Sequence, residues 1–252
     1  MKTTPLHSRR YTAFTLVELL TVIAIIAILA ALLLPALSAA KVHAQKTQAQ
    51  LQVNQIATAI QNYDSAYSRM PISAAAQQAA NTNDFTFGGL FQTPSSGLWP
   101  NPVSANYFTS NSDVIAILMD ITNTTVTTAN ANNQKNPQQT VFLDAKMVSS
   151  TNVPGVGPDL VYRDPWGNPY VITMDLAEDN QCKDPFYSLT AVSGPTGNAN
   201  PGLNGLVNPD NTQNNFLYHG NVMVWSAGPD KKIDPGNPAN SGVNKDNVLS
   251  WQ

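Results

Sequence analysis

Residues 14–37 read FTLVELLTVIAIIAILAALLLPAL, a run in which Glu18 is the sole charge. As a helix rising about 1.5 Å per residue, this run reaches across a hydrocarbon core of about 30 Å. Lys2, Arg9 and Arg10 precede it and polar sequence follows. The positive-inside rule therefore puts the N terminus in the cytoplasm and everything beyond the span outside.

Three readings of this segment compete, and two of them remove it. A secretory signal would end at the small residues Ser38-Ala39-Ala40, before Lys41. A twin-arginine signal is hinted at by Ser8-Arg9-Arg10, but Tyr11-Thr12-Ala13 stands where apolar residues should follow. In the third reading a short basic peptide is cut off and the apolar run stays as a packing helix. That reading gives Glu18 a reason to exist. A carboxylate near the bilayer centre costs roughly 2.5–3.5 kcal/mol. A cut between Ala13 and Phe14 creates an α-amine one helical turn away, and in a bundle the amine of one subunit meets the carboxylate of the next. The plainer alternative is a Glu18 that sits in the first turn, favoured by the helix dipole and reaching for the headgroups.

Ala13-Phe14-Thr15-Leu16-Val17-Glu18-Leu19-Leu20 and the Ile/Ala/Leu-rich run behind it resemble the N-terminal cleavage and methylation motif of type IV pilins and type II secretion pseudopilins. The resemblance implies cleavage before Phe14 by a prepilin peptidase, N-methylation of Phe14 by the same enzyme, and subunit docking through Glu18. The family usually has Gly before the cut, and this chain has Ala13. Pro35 falls where several pilins carry a proline; it either kinks the helix or ends the span.

Beyond Pro35, Ala49, Val53, Ile56, Ile60, Tyr63, Tyr67 and Met70 follow at alternating spacings of four and three, one apolar stripe on a helix that Pro71 should end. Residues 73–106 lack a sustained period and read as a loop or inserted lobe. Asp113–Ile121 fits a short helix, and Thr122–Gln139 is an Asn/Thr/Gln surface loop. Val141-Phe142-Leu143 and Val161-Tyr162 read as short strand or packing segments. They lead into Asp164-Pro165-Trp166-Gly167-Asn168-Pro169-Tyr170, where dense turn signals predict a hairpin continued by a strand to Met174. Trp166 and Tyr170 supply the apolar area that pins the turn.

The Asp164–Tyr170 segment, with Asp164, Trp166, Gly167, Asn168 and Tyr170, is also similar to the signature of the G-type major pseudopilin of type II secretion. Val224–Asp230 and Asp246–Trp251 resemble that family's last strand and calcium loop. Asp230, Asp234, Asp246 and Asn247 gather oxygen ligands among Gly, Pro and Asn, a composition that suits calcium, which takes six to eight oxygens; an ordinary polar loop is the other reading. An insertion, roughly Pro235–Val243, and the Asp246-Asn247 pair in place of two acids depart from the family.

The composition removes several other functions. A net charge of −3 offers no basic field for nucleic acid. The lone Cys182 has no partner for an intramolecular disulfide and rules out a cysteine-based zinc site. His7 lies in the leader, leaving His43 and His219, and no nucleophile–base motif occurs. Asp175, Glu178 and Asp179 read as a solvated turn.

The resemblance implies an α+β chain with the pilin fold: a long N-terminal transmembrane-and-extramembrane helix packed on a small antiparallel sheet. The expected divisions are a leader (1–13), a transmembrane and polymerisation helix (14–37), an extramembrane half-helix (38–71) and an exported globular domain (72–252) with an inserted loop region near 73–139. The expected function is a structural subunit of a type II secretion pseudopilus. A type IV pilus subunit is the near alternative, and a monomeric exported binding or enzymatic domain the distant one. Expected partners are copies of itself, other pilin-like subunits, the prepilin peptidase, the assembly platform and the inner membrane.

Overall fold

The computed structural model describes residues 15–81, 83–95, 97–101, 104–122, 127–194, 197–198 and 200–252. The leader and the processing pair Ala13 and Phe14 lie outside the described residues. The chain divides into two units, Met1–Ala44 and Gln45–Gln252.

In the first unit the apolar run is helical from Leu16, the start of α1 (Leu16–Tyr67). Its large side chains, Leu16 through Leu37, are exposed. Pro35 lies inside the helix and does not end it. It removes a single N–H, and the surrounding Leu and Ala residues are strong helix formers.

In the second unit the expected stripe is the inner face of the helix: Ala49, Val53, Ile56, Ile60 and Tyr63 are buried, joined by Ala59, and Tyr67 and Met70 pack at the margin. The helix stops at Tyr67, before Pro71, because Ser68 takes a positive φ of 50° while its N–H closes on the Asp64 carbonyl.

After α1 come α2 (Ala74–Ala80), β1 (Phe85–Phe87), β2 (Phe91–Gln92), β3 (Leu98–Trp99), β4 (Tyr107–Phe108) and α3 (Ser112–Leu118). Then follow β5 (Gly155–Val156), β6 (Tyr162–Arg163), β7 (Val171–Met174), β8 (Gln181–Cys182), α4 (Thr190–Ser193), β9 (Tyr218–His219), β10 (Val222–Ser226) and β11 (Val248–Leu249). The main sheet has the order β11-β10-β7-β1-β4, antiparallel except for its last pair, β1 with β4.

Residues 73–139 are therefore no inserted loop. They supply two of the five strands and, through Phe85, Phe87 and Ile115, part of the core. Their strands are too short to set up a readable alternation: β1 is three residues and β4 two. Residues 141–143 form no strand; Phe142 and Leu143 instead donate their N–H groups to the Leu118 carbonyl at the end of α3.

Every residue of β7 and β10 is buried, so both faces of the sheet are covered. Ile172, Met174, Val222 and Val224 join the core under α1, whereas Val171, Met223 and Trp225 join a second, aromatic core with Phe91, Phe186 and Phe216. Adjacent strand residues point to opposite faces, which builds two cores from one sheet.

Candidate assembly helix and C-terminal loop

At the start of α1, Thr15 precedes the first helical residue and Glu18 stands three positions on. Glu18 Oε2 accepts from the Thr15 N–H at 2.8 Å and the Thr15 hydroxyl at 2.7 Å, and Thr15 Oγ1 accepts from the Glu18 N–H at 3.2 Å. This is a capping box, satisfying donors that a helix start leaves orphaned. The Thr-x-x-Glu spacing at 15–18 signals it in the sequence, and a reading fixed on the cost of the charge passes over it.

The Asp164–Tyr170 segment is the expected hairpin turn. Asp164 N–H donates to the Asn168 carbonyl at 2.8 Å, Tyr170 N–H to the Tyr162 carbonyl at 3.1 Å, and Arg163 bridges to Pro169. Gly167 takes φ +91°, which a residue with a Cβ adopts at a cost. Asp164 Oδ1 accepts from the N–H groups of Trp166 (2.9 Å) and Asn168 (2.8 Å), and Oδ2 accepts from Asn168 Nδ2 and Ser226 Oγ. Burial pushes the Asp164 carboxyl above its ordinary range, against the pull of these bonds. Tyr170 donates its hydroxyl to Gln52 Oε1 at 2.6 Å, and Gln45 Nε2 donates to the Pro165 carbonyl at 3.2 Å, so the turn sits on α1. Trp166 is half-buried against the core.

The turn reaches the C-terminal loop through Asn168, whose Nδ2 also donates to the Gly228 carbonyl at 2.8 Å. Gly228 has φ +71°, and a Cβ there would stand 2.5 Å from the Asp246 carbonyl oxygen. Of the four expected calcium ligands, Asp230 and Asp246 come within electrostatic reach. Burial first, then Asp230, raises the Asp246 carboxyl, and Lys46 opposes this. Asp246 Oδ1 and Asn247 Oδ1 are buried without hydrogen-bond partners, while Asn247 Nδ2 donates to Tyr187 Oη at 2.9 Å. Such orphaned oxygens fit a hard cation. Asp234 is engaged within its own turn. Its Oδ1 accepts from Gly236 N–H at 2.9 Å and its Oδ2 from Asn237 Nδ2 at 2.6 Å, closing the inserted segment on itself. Among the described residues, no group of three or more His, Cys, Asp or Glu side chains gathers to hold a metal.

Two carboxylates escaped the sequence reading. Asp184 is fully buried: its Oδ1 accepts from the N–H groups of Phe186 and Tyr187, and its Oδ2 from Thr173 Oγ1 at 2.8 Å and Trp225 Nε1 at 2.9 Å. The signal was present, since Asp184-Pro185-Phe186 repeats the Asp-Pro-aromatic pattern of Asp164-Pro165-Trp166. Asp175, read as solvated, is buried and accepts from the N–H groups of Glu178 and Asn180.

The exposed apolar first half of the long helix, together with a matching processing signal at its N terminus, supports a pilin-like subunit. Residues 8–34 match the family model described as the prokaryotic N-terminal methylation motif. α1 is long and apolar enough to cross a membrane. Comparison with curated proteins and with solved structures gives no match.

Proposed function

We propose that this chain is a structural subunit of a type II secretion pseudopilus, cut before Phe14, N-methylated there by a prepilin peptidase, and polymerised through α1. The observation that carries this reading is the methylation motif over residues 8–34 lying on a helix whose large apolar side chains are exposed. Polymerisation covers them with the same side chains of neighbouring copies and of other pilin-like subunits. Glu18 sets the register by receiving the Phe14 α-amine of the next subunit. The subunit waits in the inner membrane with residues 45–252 in the periplasm until an assembly platform extracts it. The Asp164–Tyr170 turn favours the secretion machine over the surface pilus.

Calcium at the C-terminal loop belongs to the same proposal. Asp230, Asp246 and the Asn247 amide oxygen would hold it, and Asp234 would shape the inserted loop around it.

The deciding experiment is intact mass and N-terminal sequencing of the protein from native membranes, paired with a gene deletion. A chain starting at N-methylated Phe14, with loss of exported proteins on deletion, is the expected result. A chain starting at Lys41 would overturn the proposal, and lost surface filaments with intact secretion would move it to a type IV pilus.

A further inference from the structure

The inserted segment between Asp230 and Asp246 is drawn together by one side chain. Asn244 is 2% exposed and sits in a short 3₁₀ helix, Gly242–Asp246. Its Oδ1 accepts from the Asp234 N–H at 2.8 Å, and its Nδ2 donates to the carbonyls of Asp234 and Asn237, both at 2.8 Å. A carboxamide offers two donors and an acceptor oxygen. Here the backbone at the start and middle of the insertion engages all of them.

This clasp reaches two of the proposed calcium ligands. Asp246 is the last residue of the 3₁₀ helix that carries Asn244, and Asn247 donates its N–H to the Asn244 carbonyl at 3.3 Å. Asn244 and Asn247 also line one pocket of about 120 Å³, together with Tyr187 and Ala239. Ala239, from the middle of the insertion, is buried and donates its N–H to the Val192 carbonyl of α4 at 2.8 Å. The segment is therefore tied to the domain as well as to itself.

We propose that Asn244 is the positioning residue of the C-terminal loop: its amide closes residues 234–244 and thereby holds Asp246 and Asn247 in place, so that the calcium pocket is formed ahead of the ion. The metal half of this inference rests on the calcium reading given above, and the clasp half is read with no metal added. The two halves are linked by population. A site that is competent for only a fraction of the time binds its ligand more weakly by that fraction, and an amide that keeps the loop closed removes the penalty.

The test is hydrogen exchange of the full chain in detergent micelles, with chelator and with calcium. In chelator the amides of Asp234, Asn237, Asn244 and Asn247, each a donor within this loop, should be protected in the native protein. Asn244→Ala should cut that protection about tenfold, with unchanged β10 amides reporting an intact fold. Asn244→Asp, of the same shape but without the two donors, should do the same, which assigns the effect to the amide and not to packing. Asn237→Ala removes the Asn237 Nδ2 bond to Asp234 Oδ2 but leaves the Asn244 contacts to backbone, and it should keep protection within about threefold. Saturating calcium should restore protection in Asn244→Ala, with an apparent Kd about tenfold above that of the native chain.

Native protection that appears only with calcium, or an Asn244→Ala profile in chelator equal to the native one, would overturn the clasp and leave the calcium reading standing. A native Kd in Asn244→Ala would overturn its positioning role. A native chain that ignores calcium would overturn the calcium reading instead, and the chelator arm would still decide the clasp.

Discussion

Asp164 and Asp184 grip opposite faces of one strand. Ser226 and Trp225 are adjacent on β10; the first donates its hydroxyl to Asp164 and the second its indole N–H to Asp184. Each carboxylate heads an Asp-Pro-aromatic turn and spends its other oxygen on backbone N–H groups. Asp184→Asn sets an amide N–H₂ against the Trp225 and Thr173 donors inside a dry core. It should cost about 2–4 kcal/mol, read by denaturant unfolding with tryptophan fluorescence; a loss below 1 kcal/mol would refute the pinning role.

The pH response of global stability follows from the same pair. Burial raises both carboxyls above their ordinary value of 3.8. Each therefore favours folding when protonated, and stability is withdrawn as pH climbs from about 4 through the folded values. Asp159 runs the other way. The Arg163 guanidinium at 2.6 Å holds it low, so its contribution fades as pH falls below 3.8. The melting temperature should be highest in mild acid and lower at pH 8. A monotonic rise to neutrality would contradict this sign.

Gly228→Ala should disturb the C-terminal loop more than its size suggests. The added Cβ meets the Asp246 carbonyl at 2.5 Å and forces a side chain into φ +71°. A cost of about 1–3 kcal/mol is expected, and the fluorescence of Trp251, which packs against Tyr187, should report loosening there.

Calcium should raise the melting midpoint of the full chain, and a chelator should lower it, because a ligand bound only to the folded form stabilises it. Asp246→Asn should abolish the difference. Asp234→Asn should spare most of it, since Asp234 is engaged in its own turn. An unchanged midpoint at saturating calcium removes the metal from the proposal.

Glu18→Ala should leave membrane insertion intact, because the remaining run has no charge, yet abolish incorporation into polymer in a pull-down of tagged and untagged copies. Thr15→Val removes the hydroxyl contact while keeping the carboxylate. It should assemble normally, and a failure equal to that of Glu18→Ala would assign Glu18 to helix capping.

The long helix was legible because its two signals, an unbroken apolar run and a stripe at alternating spacings, extend over many turns. The Asp164–Tyr170 turn was legible because two prolines and a glycine leave the backbone few choices. The strands supplied by residues 85–87 and 107–108 were not, since two or three residues carry no period and their pairing partners lie far along the chain. Asp184 escaped for a related reason. A carboxylate in sequence reads as a solvated charge, and its four donors assemble only once β7, β10 and the turn after β8 have met.

The capping box of Thr15 and Glu18 bears on how a subunit would wait if the proposed polymerisation holds. A lone acid held in a bilayer would seek any passing cation and clump with the wrong neighbour. Bound to its own helix start, the carboxylate is kept in reserve. Under the proposed polymerisation, a neighbour would have to offer something better than a threonine before the lock changes hands, and storage and commitment would then be separate states of one side chain.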